Sequence, residues 1–126
     1  MKRTLTLSLI AFFILVGTLV SIRSFSIFDC SHELKGEELS PNKLFIAAIS
    51  ENDCGATTDY STWVTVRKSS ERFDPDHERP VLVIEGKDNV HLKWPKEYNL
   101  LIRSTNSKVF HQDKMFENVL INYEVK

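Results

Sequence analysis

The segment from Leu5 to Ile22, LTLSLIAFFILVGTLVSI, constrains this chain more than any other, because none of its residues is charged. As a helix rising about 1.5 Å per residue it would reach about 27 Å, close to the roughly 30 Å hydrocarbon layer of a bilayer. Its apolar residues are spread all round the helix, which does not suit a helix lying on a water-soluble surface. The polar members Thr6, Ser8, Thr18 and Ser21 are small hydroxyls that can bond back to helix carbonyls, and Gly17 is tolerated in lipid. Lys2 and Arg3 precede the segment and Arg23 follows it, so the positive-inside rule sets the N-terminus in the cytoplasm and exports the remainder. A cleaved signal peptide is the competing reading. Its apolar region usually spans about 7–15 residues, shorter than this one, although Ser24-Phe25-Ser26 suits a cleavage site. Both readings send the body across the membrane. The organisation expected is a cytoplasmic stub at 1–4, a transmembrane anchor at 5–22, a linker at 23–39 and an exported domain at 40–126. Such a chain is a single-pass protein of the inner, cytoplasmic membrane, with its C-terminal domain periplasmic or extracellular.

Charge is distributed to match. Of sixteen basic residues, three (Lys2, Arg3, Arg23) lie in the first 26 positions, leaving thirteen against seventeen acids, a net of −4 with histidines neutral. An acidic body argues against nucleic acid as a partner, since phosphates demand a basic face. Roughly 100 residues remain for folding, enough for one small domain with a thin core.

Export determines how the two cysteines are read. In an oxidising compartment Cys30 and Cys54 allow one intramolecular pairing, and a disulfide is expected. A catalytic thiolate would need an electropositive setting, whereas Cys54 has Glu51, Asp53 and Asp59 for neighbours. No metal-ligand spacing such as Cys-x-x-Cys or His-Glu-x-x-His is present. Lipid attachment at Cys30 is not expected either, because Phe28 and Asp29 precede it.

The body reads as short strands, with no helix beyond the leader. KLFIAAISEN, after the Ser40-Pro41-Asn42 turn, has the length and composition of a strand buried on both faces. STWVTVRK alternates, with Thr62, Val64 and Val66 on one side and Trp63, Thr65 and Arg67 on the other. After the charged loop SSERFDPDHER, the segment PVLVIEGKDNVHLKWPKEYNLLIRS divides into three strands, the second of which Pro95 should terminate. A short stretch around Lys108–His111 and the alternating NVLINYEVK complete six or seven strands. The fold class expected is all-β: a single N-terminal transmembrane helix, then a small antiparallel sheet domain, sandwich or curled meander, in up-and-down order.

The stretch SPNKLFIAAISENDCGATTDYSTWVTV resembles a group of small, uncharacterised bacterial envelope proteins. Their signature, Asp-Cys-Gly-Ala-Thr-Thr followed by an aromatic and Ser-Thr, matches Asp53–Thr58, Tyr60, Ser61 and Thr62. VHLKWPKEYNLLIRSTNSKVF and the terminal NVLINYEV are similar to the same group. The resemblance implies an envelope location and a β-rich domain, and implies no known activity.

Candidate sites are few. Thr57, Thr58, Asp59 and Tyr60 form a hydroxyl-rich loop beside Cys54 and are the candidate contact loop. Asp74, Asp76, His77 and Glu78 lack the ordered ligand series and glycine of a calcium loop, so a solvated charged loop is expected there. Trp63 and Trp94 are read as core or sheet-face packing. No acid–base or nucleophile constellation stands out, so neither catalysis nor a cofactor is expected. The function expected is a non-enzymatic binding or structural module, membrane-bound through 5–22, with an envelope protein as its partner. The alternative is an extracytoplasmic immunity or inhibitor protein whose acidic body meets a basic toxin surface.

Overall fold

The computed structural model describes residues 7–8, 10, 12–16, 30–55, 58–105 and 108–126. The described residues between 7 and 16 are helical, and among the described residues no helix is long and apolar enough to cross a membrane. The expected anchor at 5–22 and the cleavage site at 24–26 lie largely or wholly outside the described residues.

From Cys30 onward the described residues are all-β. Nine strands run β1 (Ser31–Leu39), β2 (Phe45–Asp53), β3 (Ser61–Lys68), β4 (Pro80–Glu85), β5 (His91–Lys96), β6 (Asn99–Ser104), β7 (Val109–Gln112), β8 (Met115–Phe116) and β9 (Val119–Val125). They form two sheets, one ordered β1-β2-β3-β4-β7 and the other β5-β6-β9-β8. The core lies between them. Phe45, Ala47, Val64, Val66, Leu82 and Ile84 come from the first sheet, and Leu100, Ile102, Val119 and Ile121 from the second, with Val90 beside them. The alternation of β3 is that of a strand with one face on this core: Thr62, Val64 and Val66 are buried there. On the outer face Ala48, Ser50, Asn52, Thr65 and Arg67 are also buried. β2 is therefore enclosed on both sides, as its composition predicts. Tyr123 joins the sheets, its hydroxyl pointing at the carbonyls of Val81, at 3.0 Å, and Asp113. Burial, and then the Asp113 carboxylate, push the Tyr123 phenol well above its ordinary range.

The strands number nine among the described residues rather than the six or seven expected, because β1 and the two-residue β8 carry no apolar alternation, and three further expectations need correction. The segment read as linker carries β1, which pairs antiparallel with β2 from Ser31↔Asp53 to Leu39↔Ile46, with a slip between Leu34 and Gly36. SHELKGEEL has no apolar alternation because β1 is an edge strand held by main-chain bonds and by Cys30, and charge is what keeps such an edge unpaired. The order is not up-and-down: the chain changes sheets after β4, β6 and β7, and β6 and β9 run parallel. Finally, Pro95 lies inside β5 rather than at its end. β5 is an edge strand, and its register to β6 slips between Lys93 and Lys96, so the missing N–H is absorbed by the irregularity.

Candidate functional site

Cys30 and Cys54 form a disulfide with their Cα atoms 4.0 Å apart. It ties the residue before β1 to the residue after β2. The loop that follows is shaped locally: the Gly55 N–H donates to Asp53 Oδ1 at 3.0 Å, and the Thr58 N–H donates to the Gly55 carbonyl at 3.1 Å. Gly55 adopts φ +105°, a conformation that a side chain would strain. The Gly86 N–H then donates to the Tyr60 carbonyl at 2.6 Å, and Lys87 Nζ stands 4.2 Å from the centre of the Tyr60 ring. The loop is thus pinned to the end of β4.

Trp63, two residues into β3, lies on the outer face of the first sheet, opposite Ser50 and Val83. Its ring meets His32 edge-on, with centroids 5.8 Å apart. The indole N–H donates to Ser61 Oγ at 3.0 Å. With the Asn52 amide turned so that its nitrogen faces His32 Nδ1, the Asn52 oxygen also accepts from this indole at 2.9 Å. The edge strand β7 brings Phe110 alongside, since Val109 pairs with Ile84 and His111 with Val83. Thr58, Asp59, Tyr60, Trp63, Val83 and Phe110 line a groove of about 350 Å³, with Cys54 and Glu85 at its margins. Phe110 is 59% exposed and Tyr60 41%, so this is aromatic surface facing outward rather than spare core. Lys108 Nζ bonds Glu85 and stands 5.6 Å from the Phe110 ring. Lys87 lies 3.7 Å from Glu51. Each rim lysine therefore has a carboxylate beside it.

Of the candidate contact loop, Thr58, Asp59 and Tyr60 are brought to this groove, and Thr57 lies outside the described residues. Val83 and Phe110 were not legible as site residues, because nothing in the sequence shows that β7 pairs with β4. The two tryptophans part company: Trp94 packs against the core and donates to the Glu38 carbonyl at 3.1 Å, whereas Trp63 belongs to the groove.

In the loop at Asp74–Glu78, Asp74 and Glu78 are engaged within the loop, the Asp74 N–H donating to Glu78 Oε1 at 3.4 Å. Asp74 Oδ1 accepts from the Asp76 N–H at 3.2 Å, and Asp74 Oδ2 lies 2.9 Å from His77 Nδ1. Among the described residues no three His, Cys, Asp or Glu side chains are grouped to hold a metal ion. Partial burial raises the Glu78 carboxyl above its ordinary range, opposed by the Asp74 backbone and by Arg67. Arg67 is not singled out by any motif in the sequence. It is buried on the outer face, paired through Nη2 with Glu37, bonded through Nε to the Glu71 carbonyl and covered by Phe73. Only its place on the same side of β3 as Trp63 and Thr65 signals it.

No family model, curated protein or solved structure matches the chain.

Proposed function

We propose that this chain is a membrane-anchored, exported β-domain of the bacterial envelope that acts as a binding module without catalysis, and that the aromatic groove is its contact surface. The observation that carries the reading is the Tyr60–Trp63–Phe110 groove, exposed beside the disulfide and braced on three sides by hydrogen bonds and strand pairing. Aromatic side chains fixed on a rigid sheet lose little entropy on contact, which suits them to recognition. Export is supported by the uncharged run at 5–22, by the basic residues before it and by cysteines paired as an oxidising compartment would leave them. The likeness to small envelope proteins points the same way. The alternative, an extracytoplasmic inhibitor of a basic protein, draws on the net acidity of the body.

Two measurements test the reading. Alkaline phosphatase fused after Lys126 should be active and a cytosol-restricted fluorophore there dark; the reverse pattern refutes export. A photo-crosslinking phenylalanine analogue in place of Phe110 should capture a neighbour in intact cells, whereas the same analogue at Asn122, on the outer face of the second sheet, should not. Equal adducts at both positions, or none at either, would remove the groove from the proposal.

A further inference from the structure

We infer that the groove's occupant is the lipid headgroup layer of the membrane that carries the chain, so that the domain rests on the bilayer with its disulfide end down. This deepens the anchored reading and rests on it. The first ground is covalent. Eight residue steps separate Ile22, the last of the apolar run, from Cys30, and they span at most about 28 Å when fully extended. Cys30 is bonded to Cys54, and Cys54 borders the groove. The surface that the chain can bring to the bilayer with the shortest reach is therefore the aromatic one.

The second ground is what gathers at that end of the fold. Ser31 pairs with Asp53, Asn52 with Ser61 and Ser61 with Glu85, while the Lys108 carbonyl accepts from the Glu85 N–H. Tyr60, Phe110 and Val109 are all more than a third exposed there, and Lys87 and Lys108 stand beside the rings. Amphipathic rings with flanking lysines are the side chains that settle at the membrane–water interface, ring in the headgroup region and ammonium toward water. The opposite end, with Leu39, Leu44, Tyr98 and Met115 exposed, then faces away from the membrane and is free for a protein partner. Because Lys87 and Lys108 already have Glu51 and Glu85 beside them, attachment depends on ring burial more than on charge and persists at high salt.

The protein carries its own depth gauges. Trp63 lies in the groove, while Trp94 bonds Glu38, about 23 Å further along β1 from Ser31. The test uses the full chain in liposomes containing lipid brominated near the headgroup. In Trp94→Phe the remaining Trp63 should lose about half its fluorescence or more, and in Trp63→Phe the remaining Trp94 should be unchanged. Adding Phe110→Asp to Trp94→Phe should restore most of the lost signal. Wild-type protein gives an independent readout: amide exchange at 58–60 and 109–112 should slow about fivefold or more in nanodiscs relative to detergent, with no change at 97–98. Trp63 unquenched, or quenched equally with Trp94, in a chain that floats with the liposomes overturns the inference and leaves the anchor intact. A chain that fails to float overturns the anchored reading itself. Slowed exchange at the same segments in lipid-free detergent that grows with protein concentration assigns the groove to a second copy instead.

Discussion

Tyr123 shows how a single hydroxyl can join two sheets. Replacing it with Phe leaves the Val81 and Asp113 carbonyls without their donor and should cost about 1–2 kcal/mol, read as a lower midpoint in urea. Its raised titration also has a pH signature. A tyrosine held protonated in the fold contributes fully below its unfolded value of about 10, and that contribution is lost as pH rises through the higher folded value. Wild type should therefore lose stability above about pH 10 more steeply than Tyr123→Phe. Arg67 is the opposite case, a charge enclosed by the protein. Glu37→Ala strands that charge and should destabilise more than Arg67→Met, which removes it, when the two are compared by denaturation at one pH. At this scale the sequence was readable where chemistry allows one answer, as with two cysteines and a single possible pairing. It was unreadable for Arg67, whose burial depends on Glu37, 30 residues away on β1, and on the loop after β3 folding Phe73 back over it.

Among the elements, β1 and β7 decide the site. β1 is charged along its length and holds to β2 through the ladder and the disulfide, with Lys35 bridging Glu33 and Glu51. Replacing both cysteines with Ser removes a link between residues 24 apart in sequence, worth about 3.5 kcal/mol in the chain-entropy model. Amide exchange should then accelerate first in β1 and only later in β3, whose neighbours on both sides remain. Strands with one face on the apolar core, such as β3 and β9, were legible because that face imposes period two. Of the edge strands, β5 and the short stretch at β7 were anticipated, whereas β1, which buries almost nothing, was not, and β7, Val-Phe-His-Gln, exposed throughout, carries no pattern to show which strand it pairs with. A groove made between β3, β4 and β7 is legible only to the extent that its third wall is. Sheet order failed for a related reason: short connections suggest hairpins, but they serve equally well to carry the chain from one sheet to the other, as between β7 and β8.

Taken whole, the domain has one core shared by both sheets, so neither sheet buries its apolar face alone. Unfolding should accordingly be a single transition. The two tryptophans report on different sheets, Trp63 on the first and Trp94 on the second, and single-tryptophan variants should give denaturation midpoints that shift together when the core is damaged. Ile102→Ala, with its side chain fully enclosed, should lower stability by about 2–5 kcal/mol through either probe. The bond between Cys30 and Cys54 has a mechanical corollary for any force applied through the residues before Cys30. Any pull transmitted through the preceding residues is handed by sulfur directly to the end of β2, which is flanked on both sides, instead of peeling the outermost strand away rung by rung. Tension that would unzip an unbridged domain from its margin is thus delivered to the part best able to resist it.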